Sequence, residues 1–197
     1  MGGGSYSYLS ASSRACDRSS KSINEIFTAR SMNQKLNIKN KIRECKDSDE
    51  HPNTLPIIIA LDVTGSMGRI PENLIKGGFA EIMNSIYEAG VIDPQVCFLG
   101  IGDPVYDDAP LQVSQFESDI RIAEQLDKVY FERGGGPNDW ESYSAIWKFA
   151  AERTELDCWK RGKKGIIITM GDEILNPYID SDKYEDTVNQ GLLACGF

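Results

Sequence analysis

The sequence predicts an α/β protein with a doubly wound, mostly parallel sheet and helices on both faces. Three observations support this prediction. Strongly apolar segments typical of buried strands recur along the chain, and segments with helical periodicity lie between them. An aspartate stands at or just after the end of each main strand. Strands that alternate with helices are typical of a parallel sheet whose connections cross its faces.

Length and composition set the scale of the molecule. The chain has 197 residues, of which 41% are hydrophobic and 26% charged, as in one globular domain with an extension. We expect residues 1–54 to form an N-terminal extension, partly disordered, and residues 55–197 to form the α/β domain. No apolar run approaches the ~20 residues of a membrane helix, and the N-terminus lacks a signal-peptide core. A cytoplasmic protein without a membrane partner is therefore expected.

Charge and cysteine content exclude some classes of partner. Residues 1–56 carry nine Lys and Arg against six Asp and Glu, whereas residues 57–197 carry twelve against twenty-four. The acidic body would repel a phosphate backbone, so nucleic acid is not the expected main partner, although the basic leading segment leaves contact with RNA open. The five cysteines form no Cys-x-x-Cys pair, which argues against a zinc site or a disulfide framework.

The first strand and helix of the domain follow a polar link. The segment "LPIIIALD" (55–62) is apolar on both faces, which favours a buried strand. Residues 71–89 predict a helix, because apolar side chains recur on one stripe, Pro71 suits the first turn and Gly90 follows the end. The segment "QVCFLGIGD" (95–103) predicts a second buried strand.

The second half of the chain continues this alternation. The segment "LQVSQF" (111–116) predicts a short strand, antiparallel at the sheet edge, and residues 119–129 predict a helix. Residues 140–153 predict a clearer helix with an aromatic core face. That face comprises Trp140, Tyr143, Ile146, Trp147 and Ala150. The segment "KKGIIITMGDE" (163–173) predicts a third buried strand.

Polar side chains gather where the predicted strands end. Asp62, Asp103 and Asp172 end or follow the three main strands. In a parallel sheet the ligand site lies beyond the carboxyl ends of the strands, and bringing carboxylates together there is costly without a cation. Thr64 and Ser66 stand at alternate positions after Asp62, so all three side chains point to one side of the loop. Carboxylate and hydroxyl oxygens are the ligands of a hard cation such as Mg²⁺.

The motif "DVTGSMG" resembles the metal-ion-dependent adhesion site of the von Willebrand factor type A (VWA) domain, also called the integrin I-like domain. The family signature, Asp-x-Ser/Thr-x-Ser after the first strand, is matched by Asp62, Thr64 and Ser66. The family adds an aspartate at the end of its fourth strand, where "TMGDE" supplies Asp172. The resemblance covers about residues 55–175. Within the family, "ALDVTGSMG", "PLQVSQFESD" and "GDE" together are similar to bacterial or phage-type members.

The remaining ligand in that family is a threonine, or another polar residue, from a loop before a later helix. Here the loop reads "RGGGPNDWESY", and Asn138 stands at that place with Asp139 as the competing choice. Asn138 also suits a helix N-cap, because Glu141 follows three residues later as in a capping box. One residue can serve both purposes. Asp103 is interpreted as a turn residue or a supporting residue rather than a ligand.

The resemblance implies a binding module rather than an enzyme. In that reading Asp62, Thr64, Ser66, Asn138 and Asp172 hold Mg²⁺ or Mn²⁺ and leave one coordination position open. An acidic side chain of a partner protein would fill that position. Intracellular bacterial members of the family often work beside AAA+ ATPases, so such an ATPase is one expected kind of partner.

The resemblance also draws attention to the edge of the sheet. The family fold has six strands, and only four are recognisable in this sequence, so the C-terminal strands look incomplete. An uncovered edge is prone to aggregation. The candidates for covering it are the segment "NKIREC" (40–45), a partner protein, or the apolar segment "GLLACGF" (191–197).

Two enzyme classes share parts of this pattern. A Mg²⁺-dependent haloacid-dehalogenase-like phosphohydrolase is the main alternative, but its second aspartate, two residues after the first, is replaced by Thr64. Its later Gly-Asp-x-x-x-Asp motif is broken by Asn176. A hydrolase with a nucleophile elbow would need glycine at position 64 and a histidine after Ser66. The single histidine, His51, precedes that serine.

Overall fold

The computed structural model describes residues 4, 6–67, 69–103, 106–131, 140–176, 178 and 181–188. The strands are β1 (Arg43–Cys45), β2 (Leu55–Asp62), β3 (Pro94–Ile101), β4 (Leu111–Val113), β5 (Trp140–Glu141), β6 (Thr154–Leu156), β7 (Ile166–Met170) and β8 (Ile174–Leu175). The helices are α1 (Tyr8–Ser19), α2 (Ile23–Ile26), α3 (Ile70–Asn73), α4 (Phe79–Glu88), α5 (Arg121–Leu126), α6 (Ser144–Glu152) and α7 (Ser181–Val188). Among these residues, no helix has the length and apolar character needed to cross a membrane.

A four-stranded sheet in the order β4-β3-β2-β7 lies at the centre of the fold. Strand β2 pairs in parallel with both β3 and β7, so that Ile59 lies opposite Phe98 on one side and Ile168 on the other. Strand β4 runs antiparallel to β3 at one edge, which confirms the prediction from "LQVSQF". The chain is therefore a mixed α/β protein with a mostly parallel sheet.

Helices cover both faces of β2, because its side chains alternate between two cores. Ile57, Ile59 and Leu61 pack in one core with residues of α4 and α5, and Ile58 and Ala60 lie in the other with residues of α6 and α7. All five side chains are at most 3% exposed. A fully buried isoleucine or leucine contributes about 1.5–3 kcal/mol to folding. Burial on both faces explains why this strand has no polar alternation.

The helix predicted over residues 71–89 is divided in the structure. Helix α3 is followed by a π-helical turn at Leu74–Gly78 and then by α4. Inside the turn, Gly77 has φ 170° and ψ −34°, outside the helical range. Two consecutive glycines weaken a helix, because glycine loses more backbone freedom on folding than other residues. The chain therefore bends here, while Ile75 and Phe79 remain buried on either side of the bend.

Part of the N-terminal extension is helical and packs against the domain. Helix α1 is capped by Ser7, and Arg18 near its end forms an ion pair with Asp127, just after α5. Arg14 lies 3.0 Å from the same carboxylate. Strand β1 pairs in parallel with β6 in a separate two-stranded sheet. The strand predicted at 40–45 therefore does not cover an edge of the main sheet.

A buried polar cluster fixes the chain near its start to the amino-terminal end of the sheet. Ser118 donates a hydrogen bond from Oγ to the carbonyl oxygen of Gly4 at 2.8 Å, and His51 Nε2 lies 3.1 Å from the same oxygen. His51 Nδ1 lies 3.2 Å from Asp93 Oδ1. All three side chains are buried. His51 and Asp93 come shortly before β2 and β3, so Gly4 lies at the end of the sheet where these strands begin.

The helix predicted over residues 140–153 begins later than expected. Helix α6 starts at Ser144, and the residues of β5 pair instead with β8 in a short parallel ladder. Ile146 is buried as predicted, but Trp147 is 53% exposed, so its predicted place in the core was wrong. Near the C-terminus α7 forms, and residues 191–197 lie outside the described chain. The strand considered there stays a prediction.

Candidate functional site

The predicted polar residues lie at the carboxyl end of the parallel sheet. Asp62 is the last residue of β2, and Asp103 and Asp172 each stand two residues after the end of their strands. Because these three strands are parallel neighbours, their ends lie along one edge. Asp62 and Asp103 are buried, whereas Asp172 is exposed. The site therefore has a buried inner side and an outer side open to solvent.

A run of short oxygen–oxygen contacts joins four of the predicted site residues. Asp62 Oδ1 accepts from the backbone N–H of Thr64 at 2.8 Å and from Thr64 Oγ1 at 2.6 Å. The hydroxyl oxygens of Thr64 and Ser66 are 3.0 Å apart, and Ser66 Oγ donates to Asp172 Oδ1 at 3.1 Å. We call these four residues the oxygen run. Their side-chain oxygens form a connected set between the ends of β2 and β7.

Tyr143 holds the inner oxygen of Asp62. Its hydroxyl donates to Asp62 Oδ2 at 2.7 Å and lies 3.4 Å from the backbone nitrogen of Glu173. Burial, followed by the hydrogen bond to Asp62, raises the pKa of Tyr143 above its ordinary value. The phenol therefore stays protonated and keeps donating. Sequence reasoning assigned Tyr143 only to the core, because helical spacing does not reveal where a hydroxyl points.

Gly171 makes room for this tyrosine. A Cβ at this position would overlap the Tyr143 hydroxyl and ring. The residue between β7 and Asp172 therefore has to be glycine for the tyrosine to reach Asp62. The sequence "TMGDE" showed a glycine here but not the close approach that requires it.

Glu141 is a buried carboxyl beside the site. The residue is 6% exposed, and its Oε2 accepts no hydrogen bond from the residues that the structure describes. Burial, then the negative charges of Asp62, Asp107 and Asp103, raise the pKa of Glu141 to about 8. Sequence reasoning treated Glu141 only as part of a helix cap, and it missed this residue because β5 was predicted as helix.

The loop after β3 brings a further carboxylate close to the site. Asp107 Oδ2 accepts from the backbone N–H of Asp103 at 2.7 Å, and the Asp107 N–H donates to the Asp103 carbonyl at 2.9 Å. Burial, then the charges of Asp103 and Asp62, raise the pKa of Asp107. Its contacts place Asp103 in a turn, in agreement with the interpretation of Asp103 as a turn or supporting residue.

The donor set suits a hard cation in its chemistry. The oxygen run offers two carboxylates and two hydroxyls, which are the oxygen ligands that Mg²⁺ and Mn²⁺ prefer. Glu141 adds a buried oxygen that accepts no hydrogen bond within the described part of the chain. Within the described part of the chain, however, no group of three or more His, Cys, Asp or Glu side chains could hold a metal ion. A cation here would therefore depend on the hydroxyls of Thr64 and Ser66.

The expected loop ligand cannot be placed. Asn138 and its competitor Asp139 lie outside the described residues, so their choice stays a prediction.

Comparison of the chain with models of protein families, with curated proteins and with solved structures finds no match. The resemblance to the VWA domain therefore rests on the "DVTGSMG" motif, on Asp172 and on their places in the fold.

Proposed function

We propose that this chain is a metal-dependent protein-binding module of the VWA type, which holds Mg²⁺ or Mn²⁺ at the carboxyl end of its parallel sheet. The observation that carries the proposal is the oxygen run, which connects Asp62, Thr64, Ser66 and Asp172 over oxygen–oxygen distances of 2.6–3.1 Å. Two carboxylates and two hydroxyls from two separate strand ends thus present their oxygens to one place, as a shared cation would require.

The residues of the site form a buried inner side and a solvent-exposed outer side. Asp62 is 1% exposed, and Tyr143 and Thr64 fix its two oxygens. Ser66 and Asp172 are exposed, so the outer side can be reached by another protein. A bound Mg²⁺ or Mn²⁺ would supply an open coordination position to an acidic side chain of that partner. Asn138 or Asp139 would complete the set from the loop before β5.

This proposal concerns binding and not catalysis. In the phosphohydrolase alternative a second carboxylate stands two residues after the first aspartate, and here Thr64 stands there and donates its hydroxyl hydrogen to Asp62. A threonine cannot act as a carboxyl general acid. We therefore expect no metal-dependent turnover of an aryl phosphate. Turnover that disappears in Asp62→Asn would favour the phosphohydrolase.

The direct test is titration calorimetry with Mg²⁺ and with Mn²⁺. We expect binding by the wild type and by Asp182→Ala, an exposed aspartate of α7 that serves as the control. We expect none by Asp62→Ala. Equal binding by wild type and Asp62→Ala would remove the site from Asp62. Circular dichroism of each variant shows whether the fold is retained.

The partner is tested separately. Cell extract passed over the immobilised protein with Mg²⁺, and again with EDTA, should give a partner that is retained only with the cation. The family precedent makes an AAA+ ATPase the first class to look for. A partner retained equally in EDTA, or by Asp62→Ala, would contradict a role for the cation in binding.

A further inference from the structure

Among the described strands, β7 forms one edge of the main sheet. In the described part of the chain its only strand neighbour is β2. Ile166, Ile167 and Ile168 are 44%, 38% and 36% exposed. These side chains alternate between the two faces, so both faces are partly uncovered. The sequence "IIITM" has the composition of a buried central strand but occupies an exposed edge.

An apolar groove adjoins this edge on one face. It has a volume of about 430 Å³ and lies between β7, α6 and the turn at Asp157–Arg161. Trp147 and Trp159 line it, and each is 53% exposed. Exposed apolar surface of this kind beside an edge strand marks a surface that another strand can cover.

The charges that flank β7 are arranged with opposite signs at its two ends. Lys163 and Lys164 precede the strand, and Asp172 and Glu173 follow it. Counted outwards from Ile168, Lys164 and Asp172 are each four residues away, and Lys163 and Glu173 are each five residues away. The segment is thus complementary to itself when read in the opposite direction.

We propose that β7 pairs antiparallel with β7 of a second copy of this chain, about a two-fold axis at Ile168, and joins the two sheets into one. The four charged residues lie just outside β7, and in this register Lys164 of each copy comes near Asp172 of the other, while Lys163 comes near Glu173. Gly165 of each copy also lies opposite Gly171 of the other, so no bulky side chain separates the apolar contacts from the charged ones. Each contact occurs twice, as a two-fold interface requires.

Other arrangements of the same two strands lose these contacts. Parallel pairing in register would place Lys163 beside Lys163 and Glu173 beside Glu173, and like charges directly opposite each other are destabilising. Shifting the antiparallel register by one residue keeps only one lysine–acid contact on each side of the two-fold axis. Shifting it by two residues keeps none. The register centred on Ile168 is therefore the one that the charges favour.

This inference goes beyond the proposed function, and the two proposals share one residue, Asp172. The test therefore changes Lys163 and Glu173, which are not members of the oxygen run, and it is made without a cation. Sedimentation velocity in EDTA should show the full chain changing from monomer to dimer between about 1 µM and about 500 µM, the range of a weak interface. The affinity should fall as salt is raised, because exposed charges are screened.

Charge reversal identifies the contact. Lys163→Glu alone and Glu173→Lys alone should each weaken dimerisation at least about 10-fold, since each places like charges opposite each other twice. An equal mixture of the two variants should form a heterodimer with affinity near that of the wild type. Lys21→Glu, at an exposed lysine after α1, should leave dimerisation unchanged. Circular dichroism checks that each variant is folded.

Three results would overturn the proposal. The first is a wild-type chain that stays monomeric at every concentration, and the second is a mixture of the two variants that fails to recover the dimer. The third is a dimer that forms only when residues 191–197 are deleted, because that result would show this segment covering the edge within one chain.

Discussion

The buried carboxyl of Glu141 makes the free energy of unfolding fall as pH rises. We consider the change Glu141→Gln, which keeps the shape of the side chain and removes its ionisation. The pKa of Glu141 is raised from 4.5 to about 8 by burial and by Asp62, Asp107 and Asp103. Between these pH values the folded protein holds a proton that the unfolded chain has released.

The sign and size of the effect follow from proton linkage. A folded state that binds more protons than the unfolded state loses stability as pH rises. Each pKa unit corresponds to about 1.4 kcal/mol, so the shift from 4.5 to about 8 corresponds to about 5 kcal/mol in all. About 4 kcal/mol of this is lost between pH 4.5 and pH 8, because the titration is incomplete at both limits. Small domains have unfolding free energies of about 5–15 kcal/mol. This one carboxyl can therefore remove a large share of the stability when no cation is bound.

The assay is urea unfolding in EDTA at several values between pH 5 and pH 8, followed by circular dichroism. Wild type and Glu141→Gln should have similar unfolding free energies at pH 5, and the variant should become the more stable of the two as pH rises. Glu81→Gln, at an exposed glutamate of α4, should follow the wild type. A difference between wild type and Glu141→Gln that does not change with pH would refute the reasoning.

Three further changes test the packing around Asp62 and in the core. Tyr143→Phe removes a donor to the Asp62 carboxylate and should cost about 1–3 kcal/mol of unfolding free energy. Titration calorimetry should also show a cation affinity about 10- to 100-fold lower. Unchanged affinity would mean that the hydroxyl does not support the site. Gly171→Ala should cost about 1–3 kcal/mol by urea unfolding, because its Cβ would overlap the hydroxyl and ring of Tyr143. The cost should shrink in a Tyr143→Ala background, which removes both groups, and an equal cost in both backgrounds would place the clash elsewhere. Phe149→Ala, at a fully buried residue of α6, should cost about 3–5 kcal/mol, and a loss below 1 kcal/mol would contradict tight packing there.

The central strands could be predicted because their composition reflects burial on both faces. Strand β2 is apolar from Pro56 to Leu61, as expected of a strand in the middle of a two-sided sheet. The same reasoning was wrong for β7, whose apolar run is partly exposed at an edge of the sheet. The oxygen run could be anticipated in part for a similar reason. Alternate positions after a strand point the same way, and parallel strand ends meet at one edge, which was enough to bring Asp62, Thr64, Ser66 and Asp172 together.

The remaining features depend on contacts that sequence spacing does not record. Helical periodicity placed Tyr143 and Trp147 on one face, but the structure uses the hydroxyl of Tyr143 at the site and leaves Trp147 half exposed. Glu141 was hidden because β5 forms only through pairing with β8, a long-range contact. The break at Gly77 was missed because glycine in a helical pattern signals a cost and not a position for the bend.

The contacts of Gly4 determine how the protein could be attached to a surface. Gly4 is held by Ser118 and His51 where β2 and β3 begin, and the oxygen run lies where these strands end. Strand β2 has eight residues, so the two ends are roughly 25 Å apart at about 3.3 Å per residue. A biotin placed ahead of Gly4 would therefore hold this end of the sheet against a support, while the oxygen run would face the solution.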